Sequence, residues 1–319
     1  MNGRETDSSL ESCYGGVVPP IATPLDDNGE VDVTSLLRLR TRLVTGGVAG
    51  IFALGSTGEA AYLTNARRRQ VVATLSRAAA EDGLPLLVGA VEATAARVIE
   101  AAAELITPHV GALVVTGPFY AVASPSEIVT HFETVAKAVD VPVLAYNIPA
   151  NVGYELPTEV VADLINRGVI AGLKDSSANL VGLRQLIRLS AGTDAAYFSG
   201  SDGLLDAALQ VGANGAVAGL ANVAPELFTA ALQAHWDGDT AGLSDAQMRI
   251  FTLTRLYATT DPGTGLNSTQ LGSIKTALRL QGVIASDQVS VPMQGSSATK
   301  TAAVAAILAD AGVDHVVID

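Results

Sequence analysis

From Gly16 onward, short apolar runs alternate with longer segments whose hydrophobic residues recur every three to four positions. The short runs fall at residues 17–22, 50–54, 86–89, 112–116, 143–146, 170–173, 196–199 and 216–219. Their length and near-continuous apolarity are those of strands buried on both faces. Alanine- and leucine-rich stretches lie between them, such as residues 64–80, 93–105 and 125–139, and these carry the period of amphipathic helices. Helix starts are marked by Thr34 ahead of Ser35, by Thr64 ahead of Asn65, and by Ser124-Pro125 with Glu127. Eight strand-plus-helix units in succession predict an α/β chain. They favour a closed (β/α)8 TIM barrel over its competitor, a doubly wound open sheet. After the eighth strand the alternation stops: residues 225–258 and 272–281 read as helices, 281–297 as a loop and 298–311 as a final helix. The expected organisation is a disordered lead-in (1–13), the barrel (14–224) and additional C-terminal helices packed on it (225–319).

Composition narrows the function. The chain has 319 residues, 49% of them hydrophobic, and a formal net charge of -13. So acidic a balance argues against nucleic acid, whose phosphates need a basic surface. No apolar run approaches the roughly 18 residues of a membrane helix, so no membrane partner is expected. The opening residues mix Arg4, Glu5, Asp7 and Glu11 with serines and lack the basic-then-apolar order of a signal peptide. Cys13 is the only cysteine. One thiol forms neither an internal disulfide nor a cysteine metal cluster, which fits a reducing cytoplasm.

In a barrel of this kind the strand C-termini line the active site. Lys174, one of only four lysines, closes the apolar run 169–173. Burial disfavours a charged ammonium, and a deprotonated lysine is a nucleophile toward carbonyl carbon, giving a Schiff base. The competing reading pairs Lys174 with Asp175 as a structural ion pair. Neighbouring strand ends supply Gly55-Ser56-Thr57-Gly58-Glu59, Thr116-Gly117-Pro118-Phe119-Tyr120, Tyr146-Asn147-Ile148-Pro149, Gly200-Ser201-Asp202-Gly203 and Gly219. Taken singly, the 55–59 loop is a tight βα turn and Tyr146 a core tyrosine. Together, an amine, a phenol and a glycine-flanked pair of hydroxyls whose amides form an anion nest suit a 2-oxo acid. His109, His131, His235 and His315 are isolated, so no metal and no metal-dependent aldolase is expected. Gly212, Gly215 and Gly219 read as packing choices rather than a phosphate site.

These motifs, with Gly172-Leu173-Lys174-Asp175-Ser176 and Lys275-Thr276-Ala277-Leu278, resemble the dihydrodipicolinate synthase / N-acetylneuraminate lyase family of pyruvate-dependent class I aldolases. The resemblance runs over roughly residues 16–282 and implies a (β/α)8 barrel with C-terminal helices, assembled as a homotetramer of two tight dimers. It implies Lys174 as the Schiff-base lysine, Tyr146 as the proton-relay tyrosine, and Thr57 as the hydroxyl linking Tyr146 to a second tyrosine. Ser56 and Thr57, with Gly55, would hold the substrate carboxylate. Tyr120 is similar to the tyrosine that reaches into a neighbouring subunit's site, and Asn151, Asp202 and Gly219 stand at substrate-binding positions. No cofactor is implied.

Two departures bear on substrate. Where dihydrodipicolinate synthases carry a carboxylate-clamping arginine, this chain has Ala150-Asn151-Val152-Gly153, and Asp202 is followed by Gly203 where sialate lyases have an acidic pair. The Ala150-Asn151-Val152-Gly153 segment is more similar to relatives that cleave 4-hydroxy-2-oxo acids or 2-keto-3-deoxy sugar acids, and this resemblance implies an aldolase or lyase joining or releasing pyruvate from such a substrate. The alternatives are 4-hydroxy-tetrahydrodipicolinate synthase, acting on pyruvate and aspartate semialdehyde, a sugar-acid dehydratase, and a non-catalytic pyruvate-binding relative.

Overall fold

The computed structural model describes Cys13 and residues 15–315. The expected lead-in lies outside them except for Cys13, which is fully buried. Burial pushes its thiol up to about 12, so this cysteine behaves as a small apolar core residue.

Seven parallel strands follow one another around the sheet in sequence order: β1 (Ile51–Ala53), β2 (Leu86–Ala90), β3 (Val110–Thr116), β4 (Val143–Asn147), β5 (Gly172–Asp175), β6 (Ala196–Ser199) and β7 (Gly215–Ala216). The first expected strand is present only as a closing segment. Val17 bridges Ala216 of β7 and Pro20 bridges Phe52 of β1. The bonds Val18 N–H to Ala216 O (2.8 Å) and Ile21 N–H to Phe52 O (2.9 Å) shut the barrel between its first and last strands. Pro19 and Pro20 have no N–H to donate, so a regular ladder cannot form there. The last expected strand is likewise shortened, and Gly219–Asn222 is a 3-10 turn.

Helices alternate with the strands as the periodicity predicts. Thr64 caps Asn65–Asp82, and Ser124 with Glu127 forms a capping box on Pro125–Ala136. The first helix, Val33–Thr45, is capped by Asp32 rather than Thr34, the carboxylate accepting from Ser35 N–H at 3.0 Å. The expected 225–258 helix breaks into Pro225–Asp237 and Thr240–Leu253, because Gly238 takes a left-handed φ of +73° and Asp239 caps the next helix. The expected 272–281 helix starts earlier, spanning Leu266–Leu280, and the final helix is Ala298–Asp310. Leu227, Phe228, Leu253, Ile274, Leu278 and Leu308 from these helices share one apolar cluster with Leu25, Ile51 and Ala53 of the barrel. Among the described residues no helix is long and apolar enough to cross a membrane.

Strand alternation sorts the side chains. Phe52, Leu87, Val114, Leu144, Tyr146 and Phe198 pack in the barrel interior. Leu113, Val115, Ala145 and Leu173 face outward against helices. The register matches Thr116 with Tyr146, Tyr146 with Lys174, and Lys174 with Phe198. The two residues that the sequence singles out therefore stand side by side on one inner row. Gly172, at φ +148°, lets β5 lie close against β6: a Cβ there would lie 2.0 Å from Ala196 O.

Candidate active site

A cavity of about 470 Å³ opens at the C-terminal ends of the strands, a size usual for small-molecule sites. Ser56, Thr57, Tyr146, Asn151, Lys174, Asp202 and Gly219 all line it. Seven residues separated by as many as 163 positions in sequence thus meet in one enclosure.

Lys174 is 3% exposed, and its Nζ stands 4.0 Å from the centroid of the Tyr146 ring and 4.8 Å from that of Phe52. No hydrogen bond or ion pair among the described residues engages that amine. The structural alternative for Lys174, a pair with Asp175, is not formed. Successive strand residues point to opposite faces, and the Asp175 carboxylate accepts from Asn147 Nδ2 at 2.9 Å and from Ser177 N–H at 3.1 Å. Asn147 in turn accepts from Leu156 N–H at 3.0 Å, so this outer network braces the ends of β4 and β5. Burial raises the Asp175 carboxyl above the usual range despite these bonds.

The other lysines are engaged. Lys137 pairs with Glu133 at 3.7 Å on the surface, Lys300 donates to Ser268 O and Thr269 O at 3.2 and 3.0 Å, and Lys275 forms a buried pair with Glu59. None of the three lines the cavity.

Around the amine the hydroxyls take an order that the motifs did not anticipate. Ser56 Oγ lies 3.3 Å from Tyr146 Oη. Thr57, the expected link, stands instead near Gly219 and Tyr257: a Cβ at Gly219 would sit 3.5 Å from Thr57 Oγ1 and 2.6 Å from Tyr257 Oη. Gly219 is thus what leaves room for the Tyr257 hydroxyl. Gly55 does not line the cavity; a side chain there would strike the Phe52 ring at 2.6 Å, so it serves packing. Tyr120 is fully exposed with a left-handed φ of +76° and borders a separate outer hollow with Pro118 and Phe119.

Tyr257 was missed by sequence reasoning. It reaches the site from the 3-10 turn Thr254–Ala258, in the helical extension, and donates to Asp202 Oδ2 at 2.8 Å. Nothing local in its surroundings signals this, since its partner lies 55 positions earlier. The backbone N–H of Leu220 also donates to Asp202, at 2.9 Å. Burial nevertheless pushes the Asp202 carboxyl up to about 6, with these bonds and the nearby Lys174 holding it back. The Tyr257 phenol is raised well above its ordinary value by burial and by the Asp202 charge. Tyr62, Asn267 and Gln270 add to the polar lining, and Asn267 Nδ2 donates to Tyr62 Oη at 2.6 Å.

The raised Asp202 value has a consequence for stability. A carboxyl that titrates near 6 folded and near 3.8 unfolded binds more protons in the folded state between those values. Stability from this group is therefore full below about pH 4 and declines as pH rises toward 6. The loss is on the order of 3 kcal/mol at 1.36 kcal/mol per unit. Asp202→Asn keeps an acceptor for Leu220 and Tyr257, so the variant should gain stability over the parent progressively between pH 4 and 6. Urea denaturation at stepped pH measures the difference, and a gap that stays constant across that window would contradict it.

Arg255, in the turn that also carries Tyr257, pairs with Asp310 at 2.7 Å on the surface. Among the described residues no arginine lines the cavity. An enclosed, unpaired amine beside a phenol, hydroxyls and a buried carboxyl is equipped for carbonyl addition and proton transfer.

Comparison with known proteins agrees in kind. The sequence model of the Dihydrodipicolinate synthetase family matches residues 13–311. An uncharacterized DapA-like lyase of Halobacterium salinarum is 35% identical over 212 residues, 66% of this chain and 69% of the relative. The 4-hydroxy-tetrahydrodipicolinate synthase of Methanosarcina barkeri is 30% identical over 213 residues, 67% and 72% of the two chains. Among solved structures, YagE, an Escherichia coli K12 prophage protein of the dihydrodipicolinic acid synthase family in complex with pyruvate, superposes with a TM-score of 0.87 at 27% identity. That match covers 94% of this chain and 99% of the other. Dihydrodipicolinate synthase of Bacteroides thetaiotaomicron superposes with a TM-score of 0.86 at 26% identity, covering 93% and 98%. This chain belongs to the dihydrodipicolinate synthetase family, a family of lyases.

Proposed function

We propose that the protein is a Schiff-base-forming, pyruvate-dependent aldolase that cleaves or forms a 4-hydroxy-2-oxo acid or a 2-keto-3-deoxy sugar acid. The observation that carries this reading is the unpaired Lys174 amine over the Tyr146 ring inside the cavity. Lys174 Nζ adds to the C2 ketone, and loss of water gives an iminium. The C3–C4 bonding electrons move into that iminium as an enamine while Tyr146 takes the C4 hydroxyl proton, releasing the aldehyde. Tyr146 returns the proton to C3, and hydrolysis frees pyruvate and the lysine. Ser56 and Thr57 hold the substrate carboxylate, with Asn151, Asp202 and Gly219 facing the remainder of the substrate. Tyr120, which is exposed on its own subunit, completes a neighbouring site in a tetramer of two tight dimers, and the enzyme works in the cytoplasm. Barrel and extension divide at residue 224.

A second reading, 4-hydroxy-tetrahydrodipicolinate synthase, is favoured by the name of the Methanosarcina relative. Asn151 separates the two. A neutral amide supplies no bidentate, charge-assisted bonds to a carboxylate, and the lost contact is worth roughly 1.5–3 kcal/mol, or one to two decades in specificity. The same amide both donates to and accepts from hydroxyls. Steady-state assays of pyruvate release or consumption over a panel of aldehydes and 2-oxo acids decide between them. We expect kcat/KM to be at least about tenfold higher for a hydroxylated 2-oxo acid than for aspartate semialdehyde. If aspartate semialdehyde exceeds every hydroxylated substrate, the second reading replaces the first.

A further inference from the structure

A buried ion pair joins the helical extension to a strand-end loop outside the cavity. Glu59 and Lys275 are 0% and 1% exposed, and their side chains form an ion pair. The Glu59 carboxylate also accepts from Ser290 N–H at 2.7 Å, and Lys275 Nζ donates to Gln288 O at 2.7 Å. Burial lowers the Lys275 pKa, opposed by the Glu59 charge beside it. Glu59 is held in a left-handed conformation, φ +58°, and so is Leu54 at +56°, so the loop is bounded by two residues in sparsely populated backbone geometry. Such geometry persists only where the surroundings impose it.

The loop held in this way carries Ser56 and Thr57. Glu59 N–H donates to Ser56 O at 3.0 Å, and Ser56 Oγ lies 3.3 Å from Tyr146 Oη. One residue therefore connects the extension, through its carboxylate, to the main-chain carbonyl of the serine beside Tyr146, through its amide. The helix that bears Lys275 also walls the cavity with Leu271 and Ile274.

We propose that Glu59 and Lys275 are positioning residues, whose buried pair sets the 55–59 loop so that Ser56 meets Tyr146, making the helical extension part of the catalytic apparatus. The inference rests on Lys174 and Tyr146 acting as described above. A buried ion pair is a poor source of net stability, since apolar residues of similar volume often serve a fold equally well. What such residues lack is direction. A carboxylate that takes an ammonium on one oxygen and an amide on the other fixes the loop in orientation as well as in depth.

The test uses the full-length chain, with borohydride trapping of pyruvate and steady-state turnover measured side by side. Glu59→Leu with Lys275→Met removes both charges together. We expect this double variant to trap pyruvate on Lys174 to the parental extent at saturating pyruvate while kcat falls about 30-fold or more, with KM rising as Ser56 and Thr57 loosen their hold on the carboxylate. Glu59→Asp keeps the charge but shortens its reach, and should lower kcat in the same selective way even if the double variant does not fold. Parental kcat in a folded double variant or in Glu59→Asp overturns the proposal. Equal loss of trapping and turnover in Glu59→Asp also overturns it, since the pair would then support the whole site rather than one step. Absence of an adduct in the parent enzyme refutes the lysine assignment itself, and this proposal falls with it.

Discussion

Pyruvate and borohydride together should add one reduced pyruvate to the peptide that contains Lys174, and Lys174→Ala should abolish turnover. The expected loss is at least about 10⁴-fold, the scale seen when a covalent nucleophile is deleted. The structure makes the assignment selective. Lys174 is the lysine that opens to the cavity, whereas Lys137, Lys275 and Lys300 are occupied by Glu133, Glu59 and two backbone carbonyls. The variant should fold, because replacing a buried amine by a methyl group removes a polar group from apolar surroundings at the expense of a small void. Mass mapping of the adduct and circular dichroism of the variant check both halves. An adduct at Lys275 or Lys137 would reassign the nucleophile.

Tyr146→Phe should separate two steps that Lys174→Ala removes together. The ring that stands 4.0 Å from Lys174 Nζ is kept, and so is its edge contact with Phe52 at a centroid distance of 6.3 Å. Only the hydroxyl beside Ser56 is lost. Positioned general acid–base groups contribute about 10²–10⁴-fold, so kcat should fall within that range while imine trapping persists. The two assays on one preparation decide it. If trapping and turnover are lost in equal measure, Tyr146 is needed to form the imine. If turnover is unchanged, another group moves the proton, and Asp202 with Tyr257 becomes the pair to examine.

The barrel was legible in the pattern of apolar runs because a parallel strand buried on both faces writes its burial into consecutive residues. Boundaries moved where local chemistry competed. Pro19 and Pro20 reduced the first strand to bridges, Gly238 divided a helix, and Asp32 rather than Thr34 capped another. Lys174 was legible because an ionisable residue at the end of such a run is costly without a use. Tyr146 was legible once strand ends were aligned, and the register pairing it with Lys174 follows from that alignment.

Other parts of the site left no local trace. Ser56 and Thr57 are neighbours in one motif, and nothing in the motif tells which hydroxyl meets Tyr146. The answer depends on a backbone turn that includes two non-glycine residues at positive φ. Tyr257 and Lys275 come from the helical extension; the tyrosine reads as an ordinary half-buried side chain, and the Lys275 motif carries a family likeness without showing what the lysine meets. Their partners, Asp202 and Glu59, lie 55 and 216 positions away. By itself the sequence determined seven of the eight expected strands, their order around the barrel, and which amine and phenol those strands carry inward, because periodicity and burial are local properties. Only the tertiary structure decided which hydroxyl stands beside the phenol, which carboxyl is buried against a tyrosine, and which lysine is neutralised. Those outcomes depend on contacts between distant segments whose geometry no short stretch of sequence contains.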